Sequence, residues 1–161
     1  MMAGLGAFVS RDTAYPKYEL HSSVILDSGA TLHIGNDKAR FSGLTPANRD
    51  EFLYTREDHI PIIAYDTIEL TIQTRGYPKG RKIKLTKAAY IPTFHTSIIS
   101  LQLLNKHQVY WNNRTTSLEF STDKLHFADT PITYGQWVLE YNTPPKSVFQ
   151  ALIHTIQDLT N

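Results

Sequence analysis

Apolar and polar residues alternate over short stretches of this chain, and the alternation predicts strands. In Thr67–Thr74, Ile68, Leu70 and Ile72 fall on one face and Glu69 and Thr71 on the other, the mark of a half-buried strand. Arg81–Thr86 follows the same rule, with Ile83 and Leu85 set between lysines, and Gly76–Gly80 between the two segments reads as the turn of a hairpin. Glu51–Tyr54 and Ile60–Tyr65 predict two more short strands around the polar stretch Thr55–His59, so a second hairpin is expected there. Ser22–Leu26 is an apolar strand that stops at the turn signal Asp27-Ser28-Gly29. Ser97–Leu104 is apolar and passes from a strand into a short helix ending near His107. Val109–Trp111, Ser117–Phe120, Leu125–Phe127 and Trp137–Tyr141 complete the set of short strands.

Many strands at close spacing with turns between them predict a mainly β domain, closed or sandwiched. It occupies residues 20–142. Residues 1–19 lack periodicity and read as a linker or arm. Pro144-Pro145 ends the β-region, and residues 143–161 read as a helical extension. Ser147 and Gln150 form a capping box there, and Val148, Leu152 and Ile156 form an apolar stripe.

Composition narrows the chemistry. There is no Cys, which excludes disulfides, thiolate catalysis and Cys-ligated zinc. No pair among His21, His33, His59 and His95 has metal-ligand spacing, so neither a metal nor another cofactor is expected. His33 reads instead as a packed or hydrogen-bonded residue behind the Asp27 loop. Sixteen basic side chains stand against 15 acidic ones, a balance with no electrostatic case for nucleic acid or a membrane as partner. No apolar run reaches the roughly 20 residues of a membrane helix.

The sharpest chemical signal is Val24-Ile25-Leu26-Asp27-Ser28-Gly29-Ala30. An apolar strand delivers a carboxylate at its end, and Ser and Gly then turn the chain. Ordinary turns also carry these residues. An aspartic protease needs the same arrangement for a reason: two carboxylates at close range cannot both ionise, so they share one proton. The ionised member deprotonates a water, and the protonated member hydrogen-bonds the scissile carbonyl. Gly29 would let two such loops approach, and Ser28 could donate its hydroxyl across the junction. A Ser-His-Asp triad finds no Gly-x-Ser-x-Gly elbow to support it.

The segment Leu26–Ile34, with Asp37 and Phe41 after it, resembles the protease segment of copia-type LTR retrotransposon polyproteins. Ala89-Tyr90-Ile91-Pro92 and Ser97–Leu104 resemble two later blocks of that family, in the family's order, and the resemblance covers about residues 20–142. It implies a retropepsin-like closed β-barrel with a flap hairpin, to which the residue pattern adds one short internal helix and a C-terminal helix. It implies Asp27 as the catalytic residue, supported by Ser28, Gly29, Ala30 and Thr31. It places Ile98, Ile99 and Ser100 on a strand beside the catalytic loop, and Tyr54, His59, Ile60 and Ile62 on the flap against substrate. It further implies a homodimer, an extended peptide or polyprotein substrate, and a cytoplasmic setting in a virus-like particle.

The chain departs from the family over Glu51–Asp66, where relatives carry glycines and this sequence has none. Two readings stand: an endopeptidase that cuts its own polyprotein, or a domesticated or inactive retropepsin-fold module used in binding or assembly. No zinc knuckle precedes the domain and no zinc-binding integrase segment follows it, which reads as an excised segment or a stand-alone gene.

Overall fold

The computed structural model describes residues 18–142. The elements in chain order are β1 (Val24–Asp27), β2 (Ile34–Gly35), β3 (Thr45–Pro46), β4 (Phe52–Tyr54), β5 (His59–Pro61), β6 (Ala64–Thr74), β7 (Tyr77–Tyr90) and β8 (Ser97–Ser100). Helix α1 (Leu101–Lys106) follows, then β9 (Val109–Asn112), β10 (Ser117–Phe120), β11 (His126–Asp129), β12 (Ile132–Thr133) and β13 (Gln136–Glu140). The domain is mainly β, with the short internal helix where the apolar run Ser97–Leu104 placed it. The helix expected from Ser147 lies outside the described residues, as does the N-terminal arm except for Tyr18 and Glu19.

Eight strands form one sheet in the order β12-β13-β1-β8-β2-β7-β6-β3. β1 is central in it, antiparallel to β13 and parallel to β8. A strand with neighbours on both sides and cores on both faces must be apolar at every position, and Val24, Ile25 and Leu26 are all buried. Period-two alternation divides them between two cores: Val24 and Leu26 join Ile68, Leu70, Ile72, Ile99 and Leu118, whereas Ile25 joins Ile34, Ile62, Ile91 and Ile98. β8 divides in the same way, with Ile98 in one core and Ile99 in the other.

The expected closure is not present in the strand pairing of the described residues. β12 and β3 are the two edges, and β9–β11 and the β4–β5 hairpin form separate sheets. β3 is only two residues long, so it reaches Ala64 and Tyr65 and no further along β6. Towards its far end β6 is joined instead to β11 by side chains: the Thr74 hydroxyl lies 2.9 Å from His126 Nδ1, and His126 Nε2 lies 2.8 Å from the Asp129 carboxylate.

Two boundaries differ from expectation. The strand read as Ile60–Tyr65 is broken at Ile62-Ile63. The Ile62 N–H donates to the Glu51 carbonyl and the Ile63 N–H to that of Tyr90, so the chain changes partner between those residues. The β6–β7 turn is Arg75-Gly76 rather than Gly76–Gly80, because Thr74 pairs with Tyr77 across a two-residue loop. Gly76 supplies the positive φ (84°) that such a loop requires. Gly80 (φ 76°) instead sits in a bulge of three residues between Tyr77 and Arg81.

The ends of the described chain are tied together. The Asn142 N–H donates to the Ser23 hydroxyl at 2.9 Å, and that hydroxyl donates to the Asn142 carbonyl at 3.1 Å. Arg40 completes the join, bonding Glu140 and the Ser22 carbonyl at 2.8 Å each.

Candidate active site

Asp27 is the last residue of β1, so three buried residues set its backbone position while its side chain reaches the surface. Gly29 N–H donates to its Oδ1 at 2.7 Å. A Cβ at Gly29 would lie 3.3 Å from that same oxygen, so glycine permits the close approach. Ser28 and Thr31 are exposed and Ala30 is half-buried. Among the described residues the Ser28 hydroxyl has no hydrogen-bond partner, although its carbonyl accepts from Gln102 Nε2 at 3.4 Å.

β8 holds this loop from behind. Its register against β1 pairs Asp27 with Ser100. The Ser100 hydroxyl donates to the Ala30 carbonyl at 2.6 Å and accepts from the Leu103 N–H at 3.2 Å, so one oxygen fixes the loop and caps α1. The Ser100 N–H donates to His33 Nδ1 at 3.1 Å. Nδ1 is therefore the unprotonated nitrogen of a neutral ring. Burial pushes the His33 pKa down to about 4, and the neighbouring His107 adds to the effect. Ile98, Ile99 and Ser100 thus run beside the Asp27 loop, and His33 is a buried, hydrogen-bonded residue behind it.

The proposed flap residues divide. Tyr54 is 76% exposed, and His59 is exposed with its ring edge-on to Phe52 at 5.0 Å. Ile60 and Leu53 rest against the core that contains Ile25 and Ile98. Ile62 does not belong to the hairpin face: it is 6% exposed within that core, because the chain jogs inward where β5 gives way to β6. The hairpin tip also shows how it dispenses with glycine. Thr55 N–H donates to the Asp58 carbonyl at 2.8 Å, Asp58 N–H to the Thr55 hydroxyl at 3.0 Å, and His59 N–H to the Asp58 carboxylate at 2.8 Å. None of Thr55–Asp58 has positive φ, so side chains close the turn. At its base Tyr65 donates to Glu51, which lowers the Glu51 pKa; burial first, and this bond second, push Tyr65 up to about 12.

Several supporting residues gave no sequence signal. Asn36 is buried and bonds the carbonyls of His21 and Phe94 as well as Ser97, tying β2 to the segment before β8. Thr96 is buried with its hydroxyl on the Leu20 carbonyl at 2.7 Å. Burial first, and His21 second, lower the His95 pKa against the opposing pull of Asp27, which places the ring in the electrostatic reach of the candidate carboxylate. Thr74, His126 and Asp129 are linked in the order of a hydrolytic triad, yet Thr74 is 8% exposed, so the chain of bonds joins two sheets and presents no nucleophile.

No curated protein and no solved structure matches this chain. The family model described as "Pol polyprotein, beta-barrel domain" matches residues 24–109, from the first residue of β1, through the Asp27 loop, both hairpins and β8, to the start of β9. That match spans more than half of the 161 residues, and the chain therefore belongs to the Pol polyprotein beta-barrel domain family, as a component of a retroelement polyprotein.

Proposed function

We propose that this chain is the aspartic endopeptidase of a copia-type retroelement and that it processes the polyprotein in which it is made. The observation that carries the reading is the Asp27 end of β1. A surface carboxylate is fixed at a rigid strand terminus, its loop is clamped from behind by Ser100, and the Ser28 hydroxyl beside it has no partner within the described chain. The chain holds one Asp-Ser-Gly, so a second carboxylate must come from a second copy on a two-fold axis. The pair then shares a proton and titrates as a unit. One member activates the attacking water; the other stabilises the carbonyl oxygen and protonates the departing amine. An extended peptide pairs with an open edge of the β4–β5 hairpin, which among the described residues has no third strand.

The test combines mass in solution with cleavage of fragments spanning the polyprotein's own domain junctions. The expected result is a dimer that cleaves, and an Asp27→Asn variant that folds and dimerises but does not cleave. Activity in a strictly monomeric protein, or an Asp27→Asn variant within about tenfold of wild type, a barrier change of only roughly 1.4 kcal/mol, would overturn the proposal.

A further inference from the structure

The proposed activity leaves one feature of the sequence unused. Residues 147–159 set Val148, Phe149, Leu152, Ile153, Ile156 and Leu159 on one side of a helical spacing, and Gln150, His154 and Asp158 on the other. A helix of that length is marginal in water by itself and needs a surface for its apolar stripe. The described fold offers one where this segment departs. β12 is an edge of the main sheet, and its Ile132, opposite Trp137, is 65% exposed. Trp137 and Leu139 face the core that contains Leu118, and by alternation Tyr141 falls on that same face of β13. Tyr141 is 46% exposed and Tyr134 59%, with their rings 6.4 Å apart. Three large exposed side chains thus rim one face of the β12–β13 hairpin, around a half-buried Trp137 that stacks on Trp111 at 4.1 Å.

Connectivity selects the occupant. Asn142 follows Tyr141 directly, and its N–H and carbonyl are both bonded to the Ser23 hydroxyl, so the segment starts from a fixed point on this rim. Five residue steps lead from Asn142 to Ser147, a reach of at most about 17 Å, and Pro144-Pro145 keeps β13 from running on. A helix over residues 147–159 is about 20 Å long. The five residues of β13 span about 17 Å, so segment and hairpin match in length. So short a tether holds the stripe near the rim at a far higher local concentration than a second copy or a free partner reaches. We infer that residues 147–159 of this chain form a helix that lies along the β12–β13 hairpin, with its apolar stripe on Ile132, Tyr134 and Tyr141, and that it covers the β12 edge. An edge so covered no longer serves as a template for pairing with another chain. The inference does not depend on the activity proposed for Asp27.

The chain has no Cys, so every thiol introduced into it is a chosen one. Ile132→Cys and Tyr141→Cys, both at exposed positions, serve in turn as reporters in the full chain. Each is paired with one second thiol: Leu152→Cys, Ile153→Cys or Ile156→Cys in the stripe, Gln150→Cys, His154→Cys or Asp158→Cys opposite it, or Phe8→Cys in the N-terminal arm. In a glutathione redox buffer the extent of bridging reads proximity, because only thiols whose Cα atoms come within about 7 Å close a disulfide. At least one stripe position should bridge about tenfold more strongly than every opposite position and than Phe8→Cys, and within one chain, as monomer mass on non-reducing electrophoresis shows. A reporter at Tyr54→Cys, on a separate sheet, should favour no stripe position. The chain's two Trp, Trp111 and Trp137, give a reading without thiols. Leu152→Asp/Ile156→Asp should increase quenching of their emission by acrylamide, and Gln150→Asp/His154→Asp should not. The inference is overturned if opposite or arm thiols bridge as strongly as the stripe, or if Tyr54→Cys captures the stripe instead. It is equally overturned if bridges form only between two copies, or if the two Asp pairs quench alike. Circular dichroism of each variant separates these results from misfolding.

Discussion

The Asp27 end of the main sheet and the Arg75–Lys87 hairpin are built by opposite means. At the Asp27 end, short strands of five residues or fewer cross between two cores, and several buried polar groups are engaged: Ser100 with Ala30, Asn36 with Ser97, Thr96 with Leu20. The hairpin is made of the two longest strands in the fold, and its distal part carries exposed lysines, a bulge and a solvent-facing tyrosine. One region holds a single carboxylate at a set position, while the other holds many charges with little fixing each of them. Precision in this molecule comes from burial and hydrogen bonds, and charge is spread where position matters less.

The sharpest way to break that comparison is to remove buried volume at the Asp27 end. Leu26→Ala, one residue from the carboxylate and 2% exposed, should cost about 2–5 kcal/mol by denaturant unfolding. A cost below about 1 kcal/mol would mean that the strand end is not held by its core.

Acid should weaken the same end. The native His33 pKa of about 4 lies below the ordinary 6.5, so between those values the unfolded chain binds a proton that the native ring refuses. The contribution of His33 is therefore complete above about pH 6.5 and is lost as the pH falls to about 4, in total roughly 3 kcal/mol at most. Unfolding at pH 7 and pH 4.5 should show a smaller difference in His33→Gln than in wild type; equal differences would remove His33 as the cause. On the proposed shared-proton mechanism, which favours mild acid, His33 would set the acid limit of cleavage.

Ser100→Ala removes the hydroxyl that fixes Ala30 and caps α1, and should cost about 2 kcal/mol. Cleavage should fall further than the loss of folded protein explains, which activity normalised to the folded fraction would reveal. The smallest effect belongs to the hairpin: Glu69→Ala should alter stability by less than about 0.5 kcal/mol, because its contact with Lys84 is exposed. A larger loss there would erase the contrast between the regions.

The sequence made one of these regions more legible than the other. Contiguous apolar residues ending in Asp-Ser-Gly announced β1 and its turn, and the apolar run through Ser97–Leu104 announced β8 and α1. The jog at Ile62-Ile63 was hidden, since both residues are apolar and strand-forming, and only the switch from the Glu51 to the Tyr90 carbonyl divides them. Two glycines competed for the β6–β7 turn, and the pairing of Thr74 with Tyr77 decided in favour of Gly76. Asn36 and Thr96 resemble turn residues in sequence and Ser97 reads only as the start of an apolar strand, and their value as buried ties exists only once distant segments meet. The basic hairpin was present in the sequence throughout, but a chain-wide charge total averages it away.

The bonds between Ser23 and Asn142 have a further meaning for a protein made as part of a longer translation product. Two positions 119 residues apart in the described chain are thereby fixed next to each other. While the fold is intact these bonds hold residues 23 and 142 side by side, so a pull applied between those two positions loads this pair of hydrogen bonds first.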